Sequence, residues 1–482
     1  MKVSILTDPD FSSFYFFKPT IHTKNPLHSA VTRIVNRVGL SRAILFTLFA
    51  RGWQIIAAPI TLLLVGHYFN LVQQGFYYTF SSVLALQVIF ELGLAFVITQ
   101  FASHEFAALS WGHAGQVHGD QKAINRLHAI LRRSVVWYGG VALLMALFIL
   151  PAGLFFFSSH ETAGSTVSWQ SPWVVLVLAA SAYLPIIPIL AAIEGSGQVA
   201  QVNRLRLVQG IFSSALTWAA IAGGAGLYAA AATFIVNVIF GSGWIARTYP
   251  ALLSAIRHQK DEAGLSGFSW KREIWPMQWR IAVSWASGYF IFQLFTPILF
   301  YYHGPAQAGQ MGMSLVIANM LNSVALVWLQ ANTPVMAQSA ARADWQTLDR
   351  VFAQVFWQSV AVSWVGSVAV LAVLELFSSY PLAQRLLPMT DMVYLLAAFA
   401  LTHVIGALAY YLRMHKREPF MFLSVLGAIQ VALAMWYFGR RYGSTGMVMS
   451  LLVINLVYGL PSALWLWLRL RKIWHQPAGQ VK

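Results

Sequence analysis

No cysteine occurs among the 482 residues, and charged side chains make up only 10% of them. The first absence excludes disulfides, thiolate metal sites and cysteine nucleophiles, but it identifies no compartment. The second excludes a soluble globule of this size, whose surface ordinarily calls for about a quarter charged residues. Acid is scarcer than base: 15 Asp and Glu stand against 31 Lys and Arg, for a net charge of +16. This excess does not describe a nucleic-acid surface, because the cations are scattered over many short segments and form no continuous stripe. A Walker A sequence is also missing, so the chain does not itself hydrolyse ATP through such a loop. His104-Glu105 opens like a zinc-protease helix, but Ala108 stands where the second histidine belongs. The residues call for no cofactor, no metal and no catalytic group.

What is present is apolar: 58% of the chain is hydrophobic and 14% aromatic. One helix needs about 20 apolar residues to cross a bilayer. Apolar windows between charged or Gly/Pro breaks predict spans near 43–67, 76–101, 133–156, 172–193, 206–223 and 227–246. A more polar stretch follows, then spans near 276–302, 308–333, 352–376, 391–412, 419–438 and 446–468. The faintest break is Gly223-Gly224-Ala225-Gly226, between the fifth and sixth. The expected fold class is an all-α polytopic membrane protein with about 12 transmembrane helices in two six-helix lobes. Residues 1–42 form a basic cytoplasmic tail, 43–247 the N-lobe, 248–275 a cytoplasmic linker, 276–468 the C-lobe and 469–482 a second cytoplasmic tail. The N-terminal tail lacks the apolar core and cleavage site of a signal peptide. Its Val31, Ile34, Val35 and Val38 recur at helical spacing opposite Arg33, Asn36 and Arg37. That pattern suits either a short helix on the lipid surface or an unstructured tail.

Charge orients the spans independently of hydropathy. With the N-terminus inside, only Arg385, Arg440 and Arg441 of the 31 basic residues fall on external loops, and Arg51 falls within the first span. The rest are cytoplasmic, which is the positive-inside pattern and places both termini in the cytoplasm.

The halves also resemble each other. Ala232-Thr-Phe-Ile-Val-Asn237-Val-Ile-Phe-Gly241 parallels Ser450-Leu-Leu-Val-Ile-Asn455-Leu-Val-Tyr-Gly459. Gln74-Gly75 parallels Ala308-Gly309, and Thr99 parallels Thr333 at the same offset. Two six-helix halves with one starting orientation form a parallel repeat, the usual construction of an alternating-access transporter.

Two ionisable residues lie deep in predicted spans: Arg51 in the first and Glu91 in the second. Each costs about 2.5–3.5 kcal/mol at mid-helix and so needs a partner or a watered cavity. Counted from the cytoplasmic ends, they sit at depths of roughly 12 and 15 Å, so that consecutive antiparallel helices could pair them. Gln54 and Gln87 share their respective helix faces. Two readings stay open: an ion pair that fixes helix registry, or a pair lining a cavity in which Glu91 couples or gates transport. The seventh span carries Arg280 and Gln293, and the eighth Asn319, Asn322, Gln330 and Asn332. Each carboxamide either bonds a neighbouring helix or contacts a ligand. Pro185, Pro188 and Pro297 permit bending of the fourth and seventh spans. His403, alone in the tenth, reads as a structural histidine.

The stretch from Gly75-Phe-Tyr-Tyr-Thr-Phe through Phe90-Glu91-Leu92-Gly93-Leu94 to Gln100-Phe-Ala-Ser-His-Glu105, with Thr333-Pro-Val-Met-Ala337, carries a family resemblance. It resembles oligosaccharide and polysaccharide flippases of the multidrug/oligosaccharidyl-lipid/polysaccharide (MOP) exporter superfamily, as a divergent branch, with the topology agreeing over about residues 40–470. The resemblance implies a V-shaped bundle whose central cavity is formed by spans 1, 2, 7 and 8. It implies a sugar chain on a polyprenyl diphosphate as cargo, moved across the bacterial inner membrane, with H+ or Na+ as coupling ion. Glycosyltransferases or a polymerase of the same pathway would be partners. Arg51 and Arg280 would then match the diphosphate, and the carboxamides and tryptophans the sugar. Lipid II flippases of the superfamily generally have fourteen spans, which this chain does not supply. A cation-coupled multidrug exporter is the alternative; it calls for a carboxylate in the first or seventh span, and neither has one. A glycan polymerase or ligase would need sizeable external loops, whereas the longest here are only 157–171 and 377–389. A non-catalytic component of polysaccharide assembly remains the other alternative.

Overall fold

The computed structural model describes residues 42–158, 167–258, 269–415 and 419–475. The amphipathic pattern at residues 31–38 therefore lies outside the described residues, as do parts of the 157–171 loop, the 248–275 linker and the C-terminal tail. Helices dominate because backbone N–H and C=O groups in hydrocarbon find no water, and a helix satisfies them within its own segment.

The spans in chain order are α1 (Arg42–Tyr68), α2 (Leu71–Glu91 and Leu94–Glu105), α3 (Gln121–Ser158), α4 (Gln170–Gly195), α5 (Val199–Ala222) and α6 (Gly226–Thr248). The second half holds α7 (Trp275–Phe292 and Phe295–His303), α8 (Pro305–Ala331), α9 (Trp345–Leu376) and α10 (Met389–Arg413). A last helical stretch, Met421–Trp474, runs for 54 residues. At 1.5 Å per residue it would reach far beyond a hydrocarbon core of about 30 Å. It reverses at Gly443, which has φ +61°, so that Gly439 meets Met447 and Gly446 meets the Phe438 carbonyl. Residues 421–442 are therefore α11 and 444–474 are α12. Nine described helices are long and apolar enough to span, and two bent pairs bring the number to eleven. The reversal at Gly443 brings it to the expected twelve.

The predicted breaks lie where small or capping residues allow them. Gly224 and Gly226, at φ +79° and +58°, turn the chain between α5 and α6. Asn70 caps α2 reciprocally with Gln73, its Oδ1 accepting from the Gln73 amide at 2.8 Å. Between α2 and α3 the chain departs from helix into a short antiparallel hairpin, β1 (Leu109–Trp111) with β2 (Val117–Gly119). Its Trp111 indole donates to Ser196 Oγ at 2.9 Å, at the end of α4.

Two spans are broken in mid-course. α2 bends by 45° where Leu92 and Gly93 both take left-handed backbone, at φ +52° and +63°. Leucine there costs on the order of 1 kcal/mol, so the surrounding packing must hold the break in place. α7 bends by 43° at Gln293–Leu294, just before the second piece, which carries Pro297 in its first turn.

The two halves meet chiefly through α2 and α8. A methyl group added at Gly75 would collide with the Pro305 carbonyl, and one at Gly312 with the Tyr78 side chain. Gly309 lies against the Gly75 backbone. Gln74, fully buried, donates from Nε2 to the carbonyls of Gly309 and Arg385, at 2.8 and 2.9 Å. These contacts seal the end of the bundle that carries the α1–α2, α7–α8 and α9–α10 connections, which we call the closed end. The opposite, basic end carries the hairpin and the connection into α7.

The duplicated asparagines occupy different settings. Asn455 donates to the Ala398 carbonyl and Thr402 Oγ1 of α10, at 3.0 and 2.9 Å. Asn237 is only half-buried, and its backbone carbonyl accepts from Gln209 of α5.

The absence of native cysteine makes the closed end easy to probe. Ser314, fully buried on α8, accepts from the Leu387 amide, and cysteine is nearly isosteric with it. Ser314→Cys should resist a water-soluble maleimide, and adding Gly75→Val should raise labelling severalfold by forcing α2 from α8. Unchanged labelling in the double variant would show that the closed end does not depend on this contact.

Candidate functional site

Arg51 and Glu91 share a depth but not a seam. α1 packs along α5, where Asn203 donates to Thr47 Oγ1 and Trp218 to Thr61 Oγ1, both at 2.8 Å. α2, by contrast, leaves its turn to pack on α8. Arg51 therefore points to the other half of the molecule, and its Nη1 donates to Gln330 Oε1 on α8 at 2.5 Å. Glu91 makes no hydrogen bond or ion pair among the described residues, although it is buried. The pairing allowed by equal depth is thus replaced by a cross-half bond from Arg51 to a carboxamide. Depth sets height in the bilayer, whereas adjacency is set by which helix faces pack.

The other candidates divide between two seams. Gln54 lies one turn beyond Arg51 and is exposed, so it belongs with Arg51 and Gln330 at the α1–α8 seam. Gln87 lies one turn before Glu91, with a buried Oε1 that has no hydrogen-bond partner. Both stand at the break in α2, which faces α7: a methyl at Gly93 would strike Ile281. Arg280 immediately precedes Ile281 in α7, and its side chain lies outside the described residues. Gln293 marks the break in α7 itself.

Two asparagines of α8, and Asn332 just past its end, are committed to structure. Asn319 donates to the Leu315 carbonyl and Asn332 to the Trp328 carbonyl of their own helix, both at 2.9 Å. Asn322 Oδ1 lies 3.1 Å from His403 Nδ1, whose N–H it accepts. That bond explains both residues as a tie between α8 and α10.

A basic-end latch is absent from the sequence reading. Arg126, near the start of α3, donates from Nε to Glu105 at the end of α2, at 2.9 Å. Its Nη2 donates to Glu273, just before α7, at 2.6 Å. Glu273 also accepts from the Ser269 amide at 3.0 Å, which fixes the entry to α7. One guanidinium thus joins the first half to the second, at the end opposite the glycine contact. All three groups read locally as ordinary cytoplasmic charges, and 147 residues separate Arg126 from Glu273, so nothing in the sequence announced the triad. A second basic-end cluster joins α9, α10 and α12: Arg471 Nη2 donates to Asp349 at 2.6 Å, and Tyr411 donates to the same carboxylate at 2.5 Å.

Arg126→Ala would leave two carboxylates facing each other without their shared cation. A loss of about 1.5–3 kcal/mol is expected, the range for hydrogen bonds to charged groups. Adding Glu273→Gln should recover part of it by removing the like charge. Thermal unfolding in detergent checks this; equal midpoints for Arg126→Ala and the parent would show that the triad holds nothing.

The sequence matches no protein-family model, and no curated protein matches it. The fold does match solved structures. The MATE multidrug transporter DinF-BH, solved as a ligand complex, superposes with a TM-score of 0.59 at 13% identity, covering 90% of this chain and 96% of that one. The lipid II flippase MurJ, in an inward closed conformation, superposes with a TM-score of 0.57 at 11% identity, covering 88% and 87%. An inward-facing multidrug resistance MATE family transporter of the MOP superfamily gives 0.55 at 13% identity, covering 87% and 99%. At such identities the likeness establishes the fold: an all-helical membrane bundle of the kind found in MOP-superfamily transporters.

Proposed function

We propose that this chain is an alternating-access membrane transporter, not an enzyme, and that it flips a lipid-linked oligosaccharide or polysaccharide precursor. The observation that carries the reading is the position of Arg51. Its guanidinium is exposed although it lies well inside a span, and one hydrogen bond to Gln330 ties it to the opposite half. A cation at such depth requires an anionic partner or water. A diphosphate offers the paired oxygens that a guanidinium fork engages best, and Gln330 alone supplies only a neutral acceptor. Gln54 and the half-exposed tryptophans Trp275, Trp279 and Trp285 of α7 offer hydrogen bonds and flat apolar faces suited to sugar rings.

Alternating access also needs two ends that can be exchanged, and the structure has two unlike fastenings. The closed end is held by backbone packing around Gly75, and the basic end by side-chain bonds from Arg126 and Arg51. In this reading the basic end faces the cytoplasm of a bacterial cell and receives cargo made there by glycosyltransferases or a polymerase of the same pathway. The lobes are the two six-helix halves, and the connection around residues 248–275 is their cytoplasmic linker. Arg280 is assigned to the diphosphate together with Arg51.

A second reading, a multidrug exporter, is favoured by the near-complete coverage of the two MATE transporters, at 96% and 99% of their lengths. Against it stands the lack of any acidic residue in α1 or in the spanning part of α7, where a cationic drug would seek one.

The deciding measurement is leaflet-resolved accumulation of lipid-linked glycan in cells lacking the protein. Outer-leaflet glycan should fall on deletion, return with the parent chain, return in part with Arg51→Lys, and not return with Arg51→Ala. Unchanged outer-leaflet glycan on deletion, with heightened drug sensitivity instead, would favour the exporter.

A further inference from the structure

Two arginines at the closed end are exposed with no acid to balance them. By sequence, Arg385, Arg440 and Arg441 are the Lys and Arg residues that fall at that end. Arg440 and Arg441 lie in the last turn of α11, and both are exposed. The Arg440 guanidinium lies over the Tyr302 ring, 5.5 Å from its centroid, and that of Arg441 over the Tyr442 ring at 5.7 Å. Among the described residues neither guanidinium donates a hydrogen bond or forms an ion pair. The described acids at this end are Glu375, at the end of α9, and Asp391, in the first turn of α10. Asp391 is buried and already accepts from Ser444 Oγ at 2.6 Å.

The helix that leads to the pair supplies the rest of a lipid site. Phe422, Leu426, Ile429, Leu433 and Trp436 recur at helical spacing and are all exposed, and Arg440 continues the same row. From Ile429 to Arg440 the helix rises about 16 Å, about half of a hydrocarbon core roughly 30 Å thick. One acyl chain therefore fits along the row with its headgroup at Arg440. Trp436, Tyr437 and Tyr442, each half-exposed, mark this level as the membrane–water boundary, where such rings collect. His303 donates from Nε2 to the Gly439 carbonyl at 2.7 Å, which holds the end of α7, and Tyr302 with it, against the end of α11. Seated on tyrosine faces, the guanidinium planes keep their N–H edges open to phosphate oxygens.

We propose that this corner of α7 and α11 binds an anionic phospholipid of the leaflet at the closed end. Its phosphodiester bridges Arg440 and Arg441, and an acyl chain lies along Trp436, Leu433 and Ile429. A net-negative headgroup suits the corner better than a zwitterionic one. The two cations attract the phosphate, but no carboxylate stands in ion-pair reach of them to take the ammonium of a choline or ethanolamine headgroup. The apolar row selects a lipid over a free phosphate. The site goes beyond the transport reading and does not depend on which cargo is moved.

Because the chain has no cysteine, one fluorophore can be placed just past the reversal, on the exposed Thr445, through Thr445→Cys. The full chain is held in phosphatidylcholine nanodiscs with a small fraction of either doxyl-labelled phosphatidylglycerol or doxyl-labelled phosphatidylcholine, and quenching is compared. Phosphatidylglycerol should occupy the site about tenfold more readily, the scale for two cations at a lipid surface. Arg440→Gln with Arg441→Gln should remove the preference, and Tyr302→Leu should weaken it severalfold with both charges kept. Arg469→Gln, at the basic end, should leave it unchanged. Equal quenching by the two lipids in the parent, or a preference that survives the double variant, overturns the proposal. A loss in Arg469→Gln as large as in the double variant overturns its location, and an unchanged preference in Tyr302→Leu overturns the seating on tyrosine. Release of the labelled lipid by inorganic phosphate would give the site to a free anion. Stronger release by a polyprenyl diphosphate than by unlabelled phosphatidylglycerol would give it to the transported carrier. Two copies of the chain per nanodisc, with no preference between the lipids, would give the face to a second copy. Each of these results also overturns the assignment to a phospholipid.

Discussion

Where Gly75 meets Pro305 and Gly309, backbone lies on backbone with no room for a side chain. Lipid supplies no hydrophobic drive to bring helices together, so association inside a membrane rests on such close packing and on the hydrogen bonds it shelters. Gln74 supplies those bonds, reaching from α2 to the carbonyls of Gly309 and Arg385. Because α2 is held to α8 at this end, the rest of its course is constrained. To pass under α7 at Gly93 and end beside α3 at Glu105, it has to bend, and it does so at Leu92 and Gly93.

The bend has chemical consequences. It interrupts the helix beside Glu91 and turns Gln87 and Glu91 toward α3 and α7, away from α1. α1 lies along α5 instead, and Arg51 reaches across to Gln330. Two polar seams result, one exposed with a cation and one buried with a carboxylate. Keeping them apart prevents the two charges from simply neutralising each other. The Arg126 triad completes the scheme at the basic end: it joins the end of α2, the start of α3 and the entry to α7.

The number of crossings and most of their limits were legible as apolar windows, and so were the turns at Gly223–Gly226 and between α11 and α12. Glu91 and Arg51 stood out because charge within a span is costly, and Gln87 and Gln330 because carboxamides there are rarely idle. Other readings depended on knowing neighbours. Asn322 and His403 looked like two separate polar residues and are one hydrogen bond. Asn237 and Asn455 sit in matching sequence segments, yet only Asn455 is seen to use its side chain, binding α10. Ser134, Tyr138 and Gln278 gave no signal at all, since a serine, a tyrosine and a glutamine in an apolar helix look ordinary until their burial is known.

By itself the sequence determined that the chain lives in lipid, crosses it about twelve times and carries few charges within. Those properties follow from composition and from the 1.5 Å rise of a helix, both of which are local. Only the tertiary structure decided that Arg51 and Glu91 are not partners, that one arginine latches the two halves at the basic end, and that Glu91 is buried beside the break in α2. Equal depth is a one-dimensional property, whereas contact requires the rotation of each helix about its axis and the choice of neighbour. Both were settled by contacts between residues far apart in the chain, Gly75 with Pro305 and Thr47 with Asn203 among them, which no local pattern encodes.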